Sequence, residues 1–154
     1  MILLLILVVM QFIPVDRNVP VVDPVTDFVS VEHPPQAVAQ LLRDACYDCH
    51  SYETEYPWYS YVAPVSLWLQ NHVTVGRKEL NFSIWGTYSP KRKDHKMEEA
   101  IELVKEREMP LASFTWMHPE ARLTDDQRAE ITEYLQRAWV RMGGGENDEE
   151  EAER

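Results

Sequence analysis

The sequence predicts an all-α fold on three observations. Apolar residues recur at i, i+3, i+4 and i+7 in three separate stretches: Val38, Leu41, Leu42, Ala45; Met97, Ala100, Ile101, Val104; and Ile131, Tyr134, Leu135, Ala138. No stretch alternates apolar and polar residues at the period of a strand, and no segment repeats. The 154 residues suit one domain plus tails, with enough apolar content for a single core.

The elements follow in order. Residues 1–13, "MILLLILVVMQFI", hold one polar member, Gln11, and read as a signal anchor or signal-peptide-like segment. They are somewhat short for the roughly 20 residues of a bilayer crossing. No basic residue precedes the run and no A-x-A-like site follows it, so an uncleaved anchor is favoured over a cleaved signal. Residues 14–33, which are rich in proline, read as an extended tether. A first amphipathic helix starts near Pro34 and Pro35 and carries the motif "CYDCH" at its end. A second is expected from about Pro64 to His72, a short helix or turn over "VGRKELNFSIW", and a third helix from about Lys93 to Arg107. Pro110 disfavours a helical Met109, so "LASFTWMHPEARL" is read as a loop. Thr124 and Gln127 form a T-x-x-Q capping box that opens the last helix, with Trp139 and Met142 extending its stripe. The domain is thus placed at 34–142 and an acidic, disordered tail at 143–154, where "GGG" precedes six acids and one Arg.

The net charge of −11 makes nucleic acid an unsuitable partner and favours a partner with a basic docking surface. "SPKRKDHK" at 89–96 is a local basic cluster, read as a solvated helix start rather than a docking patch.

Cys46 and Cys49 of CYDCH are the only cysteines. A structural zinc would need two further ligands, but no two of the five histidines lie three to five residues apart. A redox dithiol belongs at a helix N-terminus after a strand, whereas this motif follows a helix. A Cys46–Cys49 disulfide would close a very small loop and leave His50 without a role. Haem attachment accounts for all five positions: two thiols that can form thioethers with the two porphyrin vinyl groups, and a histidine placed to ligate the iron.

A thioether on the far side of the iron would mark an electron carrier. Met97, Met109, Met117 and Met142 are candidates, and Met109 stands out because Pro110 forces an extended chain there. His72 and His118 are weaker alternatives. Trp58, Tyr59, Tyr61, Trp68 and Trp85 are candidate haem-wall residues, and Arg77 is a candidate propionate partner set against a plain surface role.

"CYDCHSYETEYPWYSYVAPVSLWL", "GRKELNFSIW", "EMPLASFTWMHPEARLT" and the closing helix with Trp139 resemble the haem-binding domain family of bacterial c-type cytochromes. The resemblance runs from about residue 5 to residue 142. It implies a short anchor followed by a cytochrome c-like mono-haem domain, with covalent haem c on Cys46 and Cys49, His50 as proximal ligand and Met109 as distal ligand. The expected function is single-electron transfer on the periplasmic side of the inner membrane, by a carrier rather than an enzyme. A peroxidase-like enzyme or gas sensor with an open sixth position would need an acid–base group such as His72, His118 or Glu108. A fixed haem subunit of a membrane complex is the third reading.

Overall fold

Three apolar stripes have to be buried, and they are buried against one another. The computed structural model describes residues 1–145. Helices α1 (Ile2–Met10), α2 (Phe28–Glu32), α3 (Gln36–Leu42), α4 (Asp48–His50), α5 (Val65–Glu79), α6 (Pro90–Lys105), α7 (Ala112–Met117) and α8 (Asp125–Arg141) are joined by turns, with no strand among the described residues. The fold is all-α, as expected. Val38 and Leu42 of α3, Met97, Ile101 and Val104 of α6, and Ile131, Leu135 and Ala138 of α8 form one core. Each large aliphatic side chain buried there contributes about 1.5–3 kcal/mol. α6 and α8 run antiparallel: Trp139 Nε1 donates to Asp94 at 2.6 Å near one end, and Arg128 donates to the Val104 carbonyl at 2.6 Å near the other.

The capping box forms as read: Gln127 N donates to Thr124 Oγ1 at 3.2 Å, and the Gln127 side chain accepts from Thr124 N at 2.9 Å. α6 starts three residues earlier than expected, because Ser89 caps it and Pro90 fits its first turn. α5 runs on to Glu79, well past His72. The stretch read as a loop after Pro110 contains α7. Arg122 satisfies its last carbonyls, donating to Thr115 O at 2.7 Å and to Trp116 O at 3.1 Å.

Residues 14–23 form no helix, but the folded unit begins at Pro24, so the tether reading of 14–33 is corrected over 24–33. Asp23 and Asp27 cap two successive turns by accepting from Val25 N and Val29 N. Those caps fix Phe28, 1 % exposed, edge-on between Phe82 and Trp85. Phe28→Ala is expected to cost about 3–5 kcal/mol in urea unfolding. An unchanged midpoint would return the segment to the status of a tether.

α1 carries no charge and buries none of its residues. Nine residues rise roughly 14 Å against roughly 30 Å of hydrocarbon, and no helix among the described residues is long and apolar enough to cross a membrane. Its end is fastened to the domain. The Gln11 side chain donates to Ala63 O and accepts from Ala63 N, both at 3.0 Å. Arg17 donates to Ser60 O and lies 4.3 Å from the Tyr61 ring centroid. The tail reading divides: Gly143–Gly145 are structured, and the acidic run 146–154 lies outside the described residues.

Candidate functional site

CYDCH lies where a helix changes pitch. α3 passes into a wider, π-type turn over Arg43–Tyr47, resumes as α4 and ends at extended Ser51. Such turns shift side chains out of the α register and recur at functional sites. Here the shift sends Tyr47 into the core, 2 % exposed, and leaves Cys46, Cys49 and His50 only partly buried. Tyr47 stacks on Phe82 with ring centroids 5.0 Å apart and donates to Asp27 at 3.0 Å. The middle of the motif is thereby fixed from two sides.

The chain beyond the motif is fixed too. Arg77 donates to Ser51 O at 2.7 Å and to Thr54 Oγ1 at 2.8 Å, which gives it a structural role the sequence did not reveal. Gly76 allows α5 to approach. A Cβ there would stand 2.6 Å from the Cys49 carbonyl oxygen, so any side chain would push α5 off the motif.

His50 is oriented by the backbone. Its Nδ1 lies 3.1 Å from the Leu80 carbonyl, which can only accept, so Nδ1 carries the proton and Nε2 keeps its lone pair. Burial holds the imidazole pKa below its usual value, with the Leu80 and Gly76 carbonyls opposing in part. A neutral imidazole with an unprotonated Nε2 is the metal-binding form.

Cys46 and Cys49 are free thiols. Burial pushes Cys46 up to about 12 and Cys49 up to about 11. A dithiol oxidoreductase needs the opposite shift, so the structure speaks against that chemistry.

Beside Cys49 opens a cavity of about 400 Å³. That lies within the roughly 300–1,000 Å³ of cofactor pockets. It is lined by Trp68, Leu69 and Val73 of α5, by Leu111, Phe114 and Met117, and by Trp58 and Tyr59. Trp58 and Trp116 are 76 % and 78 % exposed, an unusual exposure for the largest apolar side chains and one that a flat ligand would relieve. Of the five aromatic candidates, Trp58, Tyr59 and Trp68 line the cavity. Trp85 instead lies in the core, donating to Glu32 at 2.8 Å, and Tyr61 packs under Arg17.

His118 also lines the cavity, stacked on Phe114 at 4.2 Å. Its Nδ1 lies 2.8 Å from Glu120 Oε1 and its Nε2 lies 2.8 Å from the Tyr59 hydroxyl. With Glu120 accepting from Nδ1, the Tyr59 hydroxyl donates to Nε2, so both nitrogens serve to order the loop. The His72 ring lies tilted against Trp68, with centroids 4.1 Å apart, and contacts its own helix at Trp68 O.

Met97 is buried in the core and Met142 packs against it, so both have packing roles. Glu108 is exposed. Met109 packs against the same core cluster as Cys46. Its carbonyl accepts from Arg128 Nη1 at 2.6 Å and its N–H donates to Leu103 O at 3.1 Å, so its backbone is held from both sides. Met117, not Met109, stands on the cavity wall beside Cys49.

The donor chemistry suits a porphyrin, with two free thiols and an oriented imidazole at one helix end, while of the proposed ligands only Cys49 lines the apolar cavity and Cys46, His50 and Met109 do not. Gly76, Leu80 and Arg128 act here without having been singled out. Only their spatial neighbours identify them. Compared with known families, residues 5–137 match the model of a haem-binding domain. No curated protein and no solved structure matches the chain.

Proposed function

Because this chain belongs to the haem-binding domain family, we propose that it is a c-type cytochrome carrying single electrons outside the cytoplasmic membrane. The observation that carries this reading is the oriented His50, with its Nδ1 on the Leu80 carbonyl, next to two free thiols in one turn of helix. Cys46 and Cys49 would each add an S–H across one vinyl C=C, forming two thioethers with no net change of redox state. His50 Nε2 would be the proximal ligand and Met109 the distal one. The bound iron supplies a one-electron ferric/ferrous couple. The rest of the chemistry belongs to the chain. Leu80 fixes the imidazole, the apolar cavity excludes water from the macrocycle, and Arg128 holds the Met109 backbone still, so little has to reorganise as the charge changes.

A cytochrome c-like arrangement is supported by the order helix, CYDCH, cavity wall, Met-Pro step and closing helix. α1, wholly apolar and fastened to the domain at Gln11, supports anchoring of the domain to the membrane by the N-terminal segment. The acidic balance suits a redox partner with a basic docking face.

Optical spectra and kinetics of the haem-loaded protein test the proposal. A low-spin ferric spectrum with a Met–iron charge-transfer band is expected. Electron exchange with a basic partner protein should slow by about tenfold or more as ionic strength rises from about 0.01 M to 0.1 M. A high-spin ferric spectrum with rapid peroxide turnover would replace the carrier by an enzyme.

A further inference from the structure

The three glycines at 143–145 form a built turn. Gly143 and Gly145 adopt φ of 80° and 84°, the left-handed region that favours glycine. A Cβ on Gly144 would stand 2.2 Å from the Trp139 indole, so the backbone runs directly over that ring. The same indole donates to Asp94 in the first turns of α6. The chain therefore leaves the described structure beside the N-terminus of α6.

That end of α6 is the basic cluster. Lys91 and Arg92 are exposed, Lys93 is partly so, and Lys78 of α5 joins them, its carbonyl accepting from Arg92 Nη2 at 3.4 Å. None of these four forms an ion pair among the described residues, whereas His95 and Lys96 are paired with Glu79 and Glu99. Arg92 is held 3.9 Å over the Tyr88 ring and Lys93 5.3 Å over Trp85. The nearby carboxylates have other partners: Asp94 accepts from Trp139, and Glu32 accepts from Trp85. The positive end of the sixteen-residue α6 dipole adds to the field.

We propose that this face is an anion-docking surface whose resident occupant is the chain's own acidic segment, residues 146–154. The segment carries six acids and one Arg and starts one residue past the turn over Trp139. Nine extended residues reach roughly 30 Å, and a short linker gives an effective concentration on the order of millimolar. The covered face lies behind the site: Tyr88, under Arg92, accepts from Asn81 N at 2.9 Å, and the neighbouring Leu80 carbonyl holds His50. An acidic partner approaching this side has to displace the segment first.

Zero-length carbodiimide coupling of the full-length, haem-loaded chain, with the links mapped by mass spectrometry, tests this. Within monomers, amides joining Lys91 or Lys93 to residues 146–154 are expected at about 0.01 M ionic strength, falling at least about tenfold near 1 M. They should vanish in a K91E/K93E variant that keeps its helical circular dichroism. Links to Lys105, at the far end of α6, as frequent as those to Lys91 would overturn the proposal, as would links found only at dimer mass. A second measurement does not depend on those variants. Ending the chain after Gly145 should raise affinity for poly-L-glutamate by about tenfold at low salt, and equal affinity of the two chains would also refute it.

Discussion

Replacing both Cys46 and Cys49 with alanine is expected to abolish haem retention through a denaturing gel and acid–acetone extraction, where the wild type keeps its haem. Thioethers survive denaturation, while axial ligation and burial do not. The single variants should each keep one thioether and a weaker haem stain, because either sulfur alone still ties the macrocycle to the chain. The double variant also removes the Cys49 sulfur from the cavity wall and the Cys46 sulfur from the face of the core. Each kcal/mol of stability lost should lower its melting temperature by about 2–4 °C at this chain length. Haem retained covalently by the double variant would mean that attachment lies elsewhere, and haem extractable from the wild type would reduce the protein to a non-covalent haem binder.

Met109→Ala should remove the Met–iron charge-transfer band, convert the ferric iron to high spin and lower the reduction potential. A thioether stabilises the ferrous state, and the water that would replace it does so less. Met117→Ala is the informative companion, because Met117 stands on the cavity wall while Met109 packs against the core cluster that Cys46 also touches. The backbone explains the preference for Met109: Arg128 and Leu103 hold that residue from both sides, whereas Met117 ends the six-residue α7 and is 47 % exposed. A spectrum altered by Met117→Ala and untouched by Met109→Ala would transfer the ligand to α7. Unfolding of Met109→Ala is not expected, since the clamp uses backbone atoms that alanine retains.

Several features were legible in the residues because their causes are local. The stripes of α3, α6 and α8 and the Thr124–Gln127 box depend on neighbours three or four positions away, and the structure reproduces them. The reading of CYDCH also rests on spacing within five residues, and the family match supports its coarser part, haem binding. α2 and α7 were missed. α2 is five residues long, too short to show a period, and it is held by the fit of Phe28 against Phe82 and Trp85, more than fifty positions away. α7 follows a proline and is capped from outside by Arg122.

The same division holds at the site. Local chemistry determined by itself that the chain is helical and that two thiols and a histidine share one helix end, while the haem-binding family was pointed to by the resemblance of whole motifs and shown by the family match. Which nitrogen of His50 faces outward was decided by the Leu80 carbonyl, thirty residues on. How closely α5 may approach was decided by the missing side chain of Gly76. That Trp85 belongs to the core, and Trp58 and Trp68 to the cavity, was decided by packing. A residue's type and its near neighbours set its conformation and reactivity, but burial, tautomer and orientation are properties of contacts that exist only after the chain has closed on itself.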